Sequence, residues 1–344
     1  MERDFYQGER ENSLHSTTDV WISRPDGDIM RSINTATHYI VGHGGLSSIT
    51  HLYKEIFHMK EFAILSDSCL DLPGELVAQL EIGVAPLSVA YDENTIFDDG
   101  TMDPHDFYEG IRGGKMPQTS AVNLEGWSRR MEPALKQGKD VLVLCISSAL
   151  STTYQSAVIA AGELMEKYPE RKIRVADTLS ASVGLGLLVW NAARLRAEGK
   201  DLDTVYAWVE ENKLHVCHWV TVNDLMHLKR GGRVSAATAV VGTMLQIKPV
   251  LIVDNGGRLE TAAKARGRKA AMQMLVDKLV KTGIPGANDM VFLGHGDCPE
   301  EAETMAQLLK DAGVKHVIVN HVGNVVGSHT GPDVLVIAFL GAQR

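Results

Sequence analysis

From Phe62 onward the chain alternates short apolar runs with longer helical patterns, and this alternation restricts its fold more than any other feature. Phe62-Ala63-Ile64-Leu65 is an unbroken apolar run ending at Ser66-Asp67-Ser68, the pattern of a strand buried on both faces. Val141-Leu142-Val143-Leu144-Cys145-Ile146 and Ile173-Arg174-Val175-Ala176 repeat it. A helix is predicted between them over Ser151 to Lys167. A second runs from Ala181 to Glu198, carries Val183, Leu187, Leu188, Trp190 and Leu195, and stops at Gly199, as helix C-termini commonly do. Strands separated by helices cross over into parallel pairing, so a parallel sheet covered on both faces is expected.

This style of sequence begins at Met59 and gives an α/β domain over 59–220. The remainder, 221–344, reads as a mixed α+β domain. Lys248-Pro249-Val250-Leu251-Ile252-Val253 and Arg258-Leu259-Glu260 flank Asp254-Asn255-Gly256-Gly257, a strong hairpin signal. Further strands are predicted over Asp289–Leu293, His316–Val319 and Val334–Phe339. The fold class is therefore α/β with two domains, an N-terminal parallel-sheet α/β domain and a C-terminal mixed α+β domain. Residues 1–58 read as an N-terminal extension, either an appended segment or an upstream start choice. It is polar to about residue 43, with a break at Gly42-His43-Gly44-Gly45. Leu46, Ile49, Leu52, Ile56 and Phe57 then recur at helical spacing.

A chain of 344 residues with 44% hydrophobic content buries a full-size core. Its net charge of -9 leaves no broad basic face of the kind nucleic acid or acidic lipid attracts. The cysteines Cys69, Cys145, Cys217 and Cys298 form no CxxC pair, which argues against a zinc knuckle or a disulfide framework. The N-terminus lacks a secretory pattern and no apolar run is long enough to span a bilayer. A cytoplasmic protein with no transmembrane segment is expected.

Ligands of open parallel sheets gather beyond the carboxyl ends of the strands. Three hydroxyl-rich segments fall there: Ser66-Asp67-Ser68, the loop Pro117-Gln118-Thr119-Ser120, and Ser147-Ser148-Ala149-Leu150-Ser151-Thr152-Thr153. The last leads into a helix whose first N–H groups face an anion. Ser and Thr also cap helices and close turns, so no single cluster is diagnostic. Gly327-Ser328-His329-Thr330-Gly331-Pro332 places a histidine in a Gly-bounded turn before a strand. Such a histidine can donate a hydrogen bond, and charge, to a carboxylate.

The residue types also fit a serine hydrolase acting on acyl substrates through Ser151 and His329, with Asp67 as orienter. The GxSxG elbow of α/β-hydrolases is absent. A metal site from His295, Asp297 and Cys298 has spacing too tight for a zinc knuckle. Gly42–Gly45 lacks the Lys-Ser/Thr ending of a phosphate loop.

The ordered set of segments resembles the DegV family of bacterial fatty-acid-binding proteins from Met59 to about Gly341. Its anchors are Ser66-Asp67-Ser68, Thr119-Ser120, Leu150-Ser151-Thr152-Thr153-Tyr154-Gln155-Ser156-Ala157 and Asp177-Thr178-Leu179-Ser180-Ala181-Ser182. They continue with Leu228-Lys229-Arg230-Gly231-Gly232-Arg233, Lys248-Pro249, Lys264-Ala265-Arg266-Gly267-Arg268-Lys269 and His329-Thr330-Gly331-Pro332. The resemblance implies a non-enzymatic lipid carrier that needs no cofactor or metal. One long-chain fatty acid would lie between the domains, its carboxylate bound by Thr119, Ser151 and His329 with Ser120, Thr152 and Thr330 beside them. At roughly 0.8 kcal/mol per buried methylene, a tail of about sixteen carbons offers on the order of 12 kcal/mol before ordering costs. The resemblance further implies a partner, a fatty acid kinase catalytic subunit that phosphorylates the carboxylate, docking at Lys229, Arg230, Arg233 and Arg266. The sequence departs from the family pattern at Thr152 and Asp333, where glycine is usual, and at Ala121-Val122-Asn123 after Thr119-Ser120.

Overall fold

The computed structural model describes residues 62–91, 94–97, 102–223, 225–234 and 246–344. The expected extension over 1–58, with its helix from Leu46 to Phe57 and the Gly42–Gly45 break, lies outside them, as does the expected domain start at Met59. The described residues belong to one compact unit.

Its first sheet is built from the runs noted above. β1 (Phe62–Asp67) is followed by α1 (Gly74–Gln79) and β2 (Ile82–Ala85). The chain then leaves the sheet for β3 (Ser88–Tyr91), β4 (Asn94–Phe97), α2 (Pro104–Arg112) and β5 (Gln118–Ser120). It returns through α3 (Leu124–Lys136) to β6 (Asp140–Cys145), α4 (Thr153–Lys167), β7 (Ile173–Asp177), α5 (Val183–Ala197) and α6 (Leu202–Asn212). β2, β1, β6 and β7 pair in that order, all in parallel. Ile64 lies between Ile82 and Leu142 in register. The excursion makes a separate antiparallel sheet in the order β4-β3-β5.

Beyond it come β8 (Val216–Thr221), α7 (Met226–Arg230), β9 (Ile247–Val253), β10 (Leu259–Arg266), α8 (Arg268–Thr282), β11 (Met290–His295), α9 (Pro299–Asp311), β12 (His316–His321), α10 (Asn324–Thr330) and β13 (Leu335–Leu340). Six strands form a mixed sheet in the order β10-β9-β8-β13-β11-β12, in which only β11 and β12 run parallel. The expected hairpin is β9–β10, with β10 continuing past Glu260 to Arg266.

α5 explains how the two large sheets share a core. Its residues are apolar nearly all round, and the helix is buried along most of its length, as a helix enclosed on every side must be. It contacts β1 and β6 of the parallel sheet as well as β8, β11 and β13 of the mixed one. α3 and α4 cover the far face of the parallel sheet. α8 and α9 cover the far face of the mixed sheet, where Met272, Leu275, Met305 and Leu309 build a second cluster. Helix starts follow local chemistry: Asp103 accepts from His105 N and Asp106 N before α2, Asn123 from Gly126 N before α3, and Asp201 from Thr204 N before α6. Among the described residues, no helix is long and apolar enough to cross a membrane, and the four cysteines are buried free thiols.

Candidate functional site

The β6–α4 connection crosses the carboxyl end of the parallel sheet and is braced from beneath. Asp67, at the end of β1, accepts from Ile146 N (2.7 Å) and Cys69 N (3.1 Å). Ser66 Oγ donates to Leu144 O, and Ser68 Oγ accepts from Leu87 N. Ser66-Asp67-Ser68 therefore holds the loops in place without lining a cavity. Asp177, at the end of β7, accepts from Ser148 N and Leu179 N.

Above these braces lies a cavity of about 380 Å³. One wall is the connection itself, Ile146 and Ser148–Thr152. A second is the three-stranded excursion, through Leu87, Thr119 and Ala121. A third is α10, through Val325, Val326, His329 and Thr330. Ala181, Leu228, Arg233 and Leu259 complete the lining. Most of it is apolar, and its hydroxyls and imidazole come from three separate segments. Of the six residues expected at the carboxylate, Thr119, Ser151, Thr152, His329 and Thr330 line the cavity. Ser120 does not: Thr119 and Ser120 are in strand β5 rather than a loop, so they point to opposite faces, and Ser120 is exposed.

His329 sits on α10, not in a turn. The Gly-bounded segment is a short helix from Asn324 to Thr330 that ends at Gly331, whose φ is +75°. On that helix Val325, Val326, His329 and Thr330 share one face. The spacing was present in the sequence, but glycines at 323, 327 and 331 gave it the look of a loop. His329 Nε2 is 2.8 Å from Thr119 Oγ1. Its Nδ1 is buried without a hydrogen-bond partner and faces Gly231, where a Cβ would lie 2.2 Å away. Burial, reinforced by the nearby Arg233 guanidinium, lowers the His329 pKa to about 4. With these neighbours the imidazole is neutral near pH 7 and offers a hydrogen bond.

Ser151 and Thr152 stand at the start of α4. Ser151 Oγ is 2.9 Å from Thr153 Oγ1 and accepts from Thr153 N. Thr152 is the N-cap residue, and its hydroxyl makes no capping bond. Thr153 ties the loop inward: its Oγ1 accepts from Val122 N and its carbonyl from Trp127 Nε1. Thr330 Oγ1 donates back to Val326 O. The hydrolase arrangement is not assembled, because Ser151 pairs with Thr153, His329 Nε2 with Thr119, and Asp67 with the backbone of Cys69 and Ile146.

Arg233 is the cation of the cavity wall. It is half-buried, and its guanidinium donates to Leu150 O and Gly231 O. Lys229 and Arg230 are exposed on α7 beside it, and Arg266 is exposed at the end of β10. Arg268 is engaged in an ion pair with Glu301. Asp333 carries no charge into the cavity: Arg112 and Asn223 both donate to its carboxylate. His295 and Cys298, weighed and set aside as metal ligands with Asp297, have other partners. Cys298 Sγ faces Val334 O, and His295 Nδ1 accepts from Cys298 N.

An α/β protein in which a parallel sheet and a mixed sheet share one buried helix, with a mostly apolar cavity carrying a few polar side chains, has the form of a small-molecule binding protein. The chain is a member of a particular family of such proteins. A profile described as "Uncharacterised protein, DegV family" matches residues 61–342, so the chain belongs to the DegV family. A DegV domain-containing protein of Clostridium perfringens is 44% identical over 289 residues, covering 83% of this chain and 99% of that one. Among solved structures, a fatty-acid-binding DegV family protein from Thermus thermophilus is 32% identical with a TM-score of 0.73, covering 81% of this chain and 99% of its own. DegV of Bacillus subtilis, described as a fatty acid binding protein, is 27% identical with a TM-score of 0.72, covering 82% of this chain and 99% of its own.

Proposed function

We propose that the chain encloses one long-chain fatty acid and presents its carboxylate at the Thr119–His329 pair in the cavity, acting as a carrier rather than as an enzyme. The observation that carries this reading is the mostly apolar lining, Leu87, Ile146, Leu150, Leu228, Leu259, Val325 and Val326, joined by the polar side chains of Thr119, Ser151, Thr152 and His329. A buried carboxylate loses its hydration and must recover hydrogen bonds. With its proton on Nε2, neutral His329 donates to Thr119 Oγ1, which leaves the Thr119 hydroxyl proton for the ligand. Ser151, Thr152 and the N-terminus of α4 supply further donors. Arg233 brings the compensating charge. The fatty-acid-binding relatives from Thermus thermophilus and Bacillus subtilis support the ligand class.

Native mass spectrometry of protein purified from a bacterial host tests this directly. The expected result is a bound mass equal to one fatty acid, retained by wild type and depleted in a Thr119→Val, His329→Gln double variant. A persistently empty wild-type protein counts against it.

The carrier is further proposed to serve a fatty acid kinase subunit that phosphorylates the presented carboxylate. The exposed cations Lys229 and Arg230 beside the cavity, with Arg266, suit an acidic partner surface or its phosphates. Neutralising Lys229, Arg230 and Arg266 together, none of which lines the cavity, is expected to abolish transfer of bound fatty acid to the kinase, and unchanged transfer would sink this half of the reading.

A further inference from the structure

Away from the cavity, a cluster of charges joins the excursion to the mixed sheet. Arg112 is the last residue of α2. Its Nη1 donates to Asp297 Oδ2 and to Glu109 Oε1, and its Nη2 donates to the Asp297 carbonyl and to Asp333 Oδ1 at 2.9 Å each. Asp297 lies in the β11–α9 turn and Asp333 in the turn between α10 and β13, so one guanidinium ties the excursion to two separate loops. His105, at the other end of α2, adds a second hold, with Nδ1 3.1 Å from both Asp297 carboxylate oxygens. The Asp297 side chain is only 7% exposed, which strengthens a charge-assisted bond over one in open water. His105, Glu109 and Asp297 have the donor types of a metal site. The guanidinium that bridges Glu109 and Asp297 supplies a cation there.

Both carboxylates sit on strained backbone. Asp297 has φ +55° and Asp333 has φ +61°, a region that glycine enters freely and other residues at a cost. Strain of this kind persists where the surroundings over-determine it, and here Arg112 holds both residues.

What the cluster fastens is a wall of the cavity. α2 buries Phe107 and Tyr108 completely against α10. Tyr108 Oη donates to Val322 O (2.8 Å) just before that helix begins. The same excursion contributes Leu87, Thr119 and Ala121 to the lining. These walls border the acyl chain, so movement of one of them changes how readily the chain enters and leaves. This wall is secured at its outer end by ion pairs, which water and salt can replace.

We propose that Arg112 latches the excursion over α10 and so sets the rate at which an acyl ligand enters and leaves. The ligand in this inference rests on the fatty-acid reading above; the latch itself rests on contacts within this chain. Arg112 and Asp333 do not line the cavity, so Arg112 is a positioning residue. Loosening the latch speeds entry and release together and leaves affinity nearly unchanged.

Three variants test this. Asp333→Gly removes one arm and places glycine where φ suits it, so the fold is kept; Arg112→Gln removes every arm. Release of cis-parinaric acid to excess albumin is followed by stopped-flow fluorescence beside its equilibrium affinity. Hydrogen–deuterium exchange is followed on the empty protein. Release is expected to quicken roughly threefold in Asp333→Gly and roughly tenfold in Arg112→Gln, with Arg112→Lys recovering part of the loss. The dissociation constant is expected to hold within about twofold, because no lining contact is lost. Exchange is expected to rise over residues 104–112 and 324–330 and not in the parallel sheet. Unchanged release in Arg112→Gln overturns the latch. Faster release matched by an equal loss of affinity also overturns it, since that marks a damaged cavity. If wild type does not hold cis-parinaric acid, the fatty-acid reading falls, and the latch then stands or falls on whether Arg112→Gln raises exchange over α2 and α10.

Discussion

Gly231 shows how a single residue controls the cavity's polar lining. Its backbone is ordinary helical, with φ of -72° and ψ of -8°, so alanine fits the conformation there and only the space is wrong. The added Cβ would meet His329 Nδ1 at 2.2 Å, and His329 cannot yield without leaving Thr119. Gly231→Ala is expected to weaken fatty-acid binding roughly tenfold, the loss of about one buried hydrogen bond, with a melting temperature close to wild type. Equilibrium displacement of a fluorescent fatty acid checks this, and an undiminished affinity would show that the Thr119–His329 bond is dispensable. The convergence of distant segments was legible in the ordered motifs: Thr119, Ser151, Thr152, His329 and Thr330 line one cavity although 211 positions separate the first from the last. The ionisation of His329 was not legible, because it depends on burial and on Arg233, neither of which adjoins it in sequence. Nor was the role of Gly231, which lies in a motif read from sequence as basic docking surface.

Legibility at the scale of elements followed the strength of periodicity. β1, β6, β7, α4 and α5 lie within a residue or two of where apolar runs and capping residues place them. The excursion was illegible because its strands are three or four residues long and too short to show alternation. α10 was hidden by its glycines, which have a packing purpose. A Cβ at Gly327 would lie 2.5 Å from Tyr108 Oη and 3.1 Å from Phe107 Cε1. The helix keeps glycine there so that α2 can approach, a constraint set by a partner more than 200 residues upstream (327 minus 108 is 219). Strand order in the mixed sheet was equally beyond reach of local pattern, since β13 inserts between β8 and β11 to satisfy pairings made earlier in the chain.

At the scale of the whole molecule, buried imidazoles make acid the chief chemical stress. Burial lowers the pKa of His218 well below its ordinary value, and lowers His295 and His329 to about 4, with His321 and Arg233 respectively adding to the effect. In the unfolded chain each titrates near 6.5. Between those values the unfolded state binds more protons than the native state, so native stability falls as pH falls from about 6.5 toward 4. Each group contributes up to about 1.4 kcal/mol per pH unit across that window. His105 is raised by Asp297 and works in the opposite sense, but it is exposed and its effect is small. Melting temperatures across this range are expected to decline steadily below pH 6.5, and the slope is expected to be shallower in His329→Gln. A flat profile would mean that these imidazoles are hydrated in solution.

The route of the chain has a consequence for inheritance. β3, β4, α2 and β5 leave the parallel sheet after β2, form a sheet of their own, and rejoin before β6, while β2, β1, β6 and β7 pair without them. The described residues of 86–123 are thus a cassette: they shape one wall of the cavity yet contribute no strand to either large sheet. Mutation in that stretch can reshape what the cavity accepts while the pairing of both large sheets is passed on unchanged.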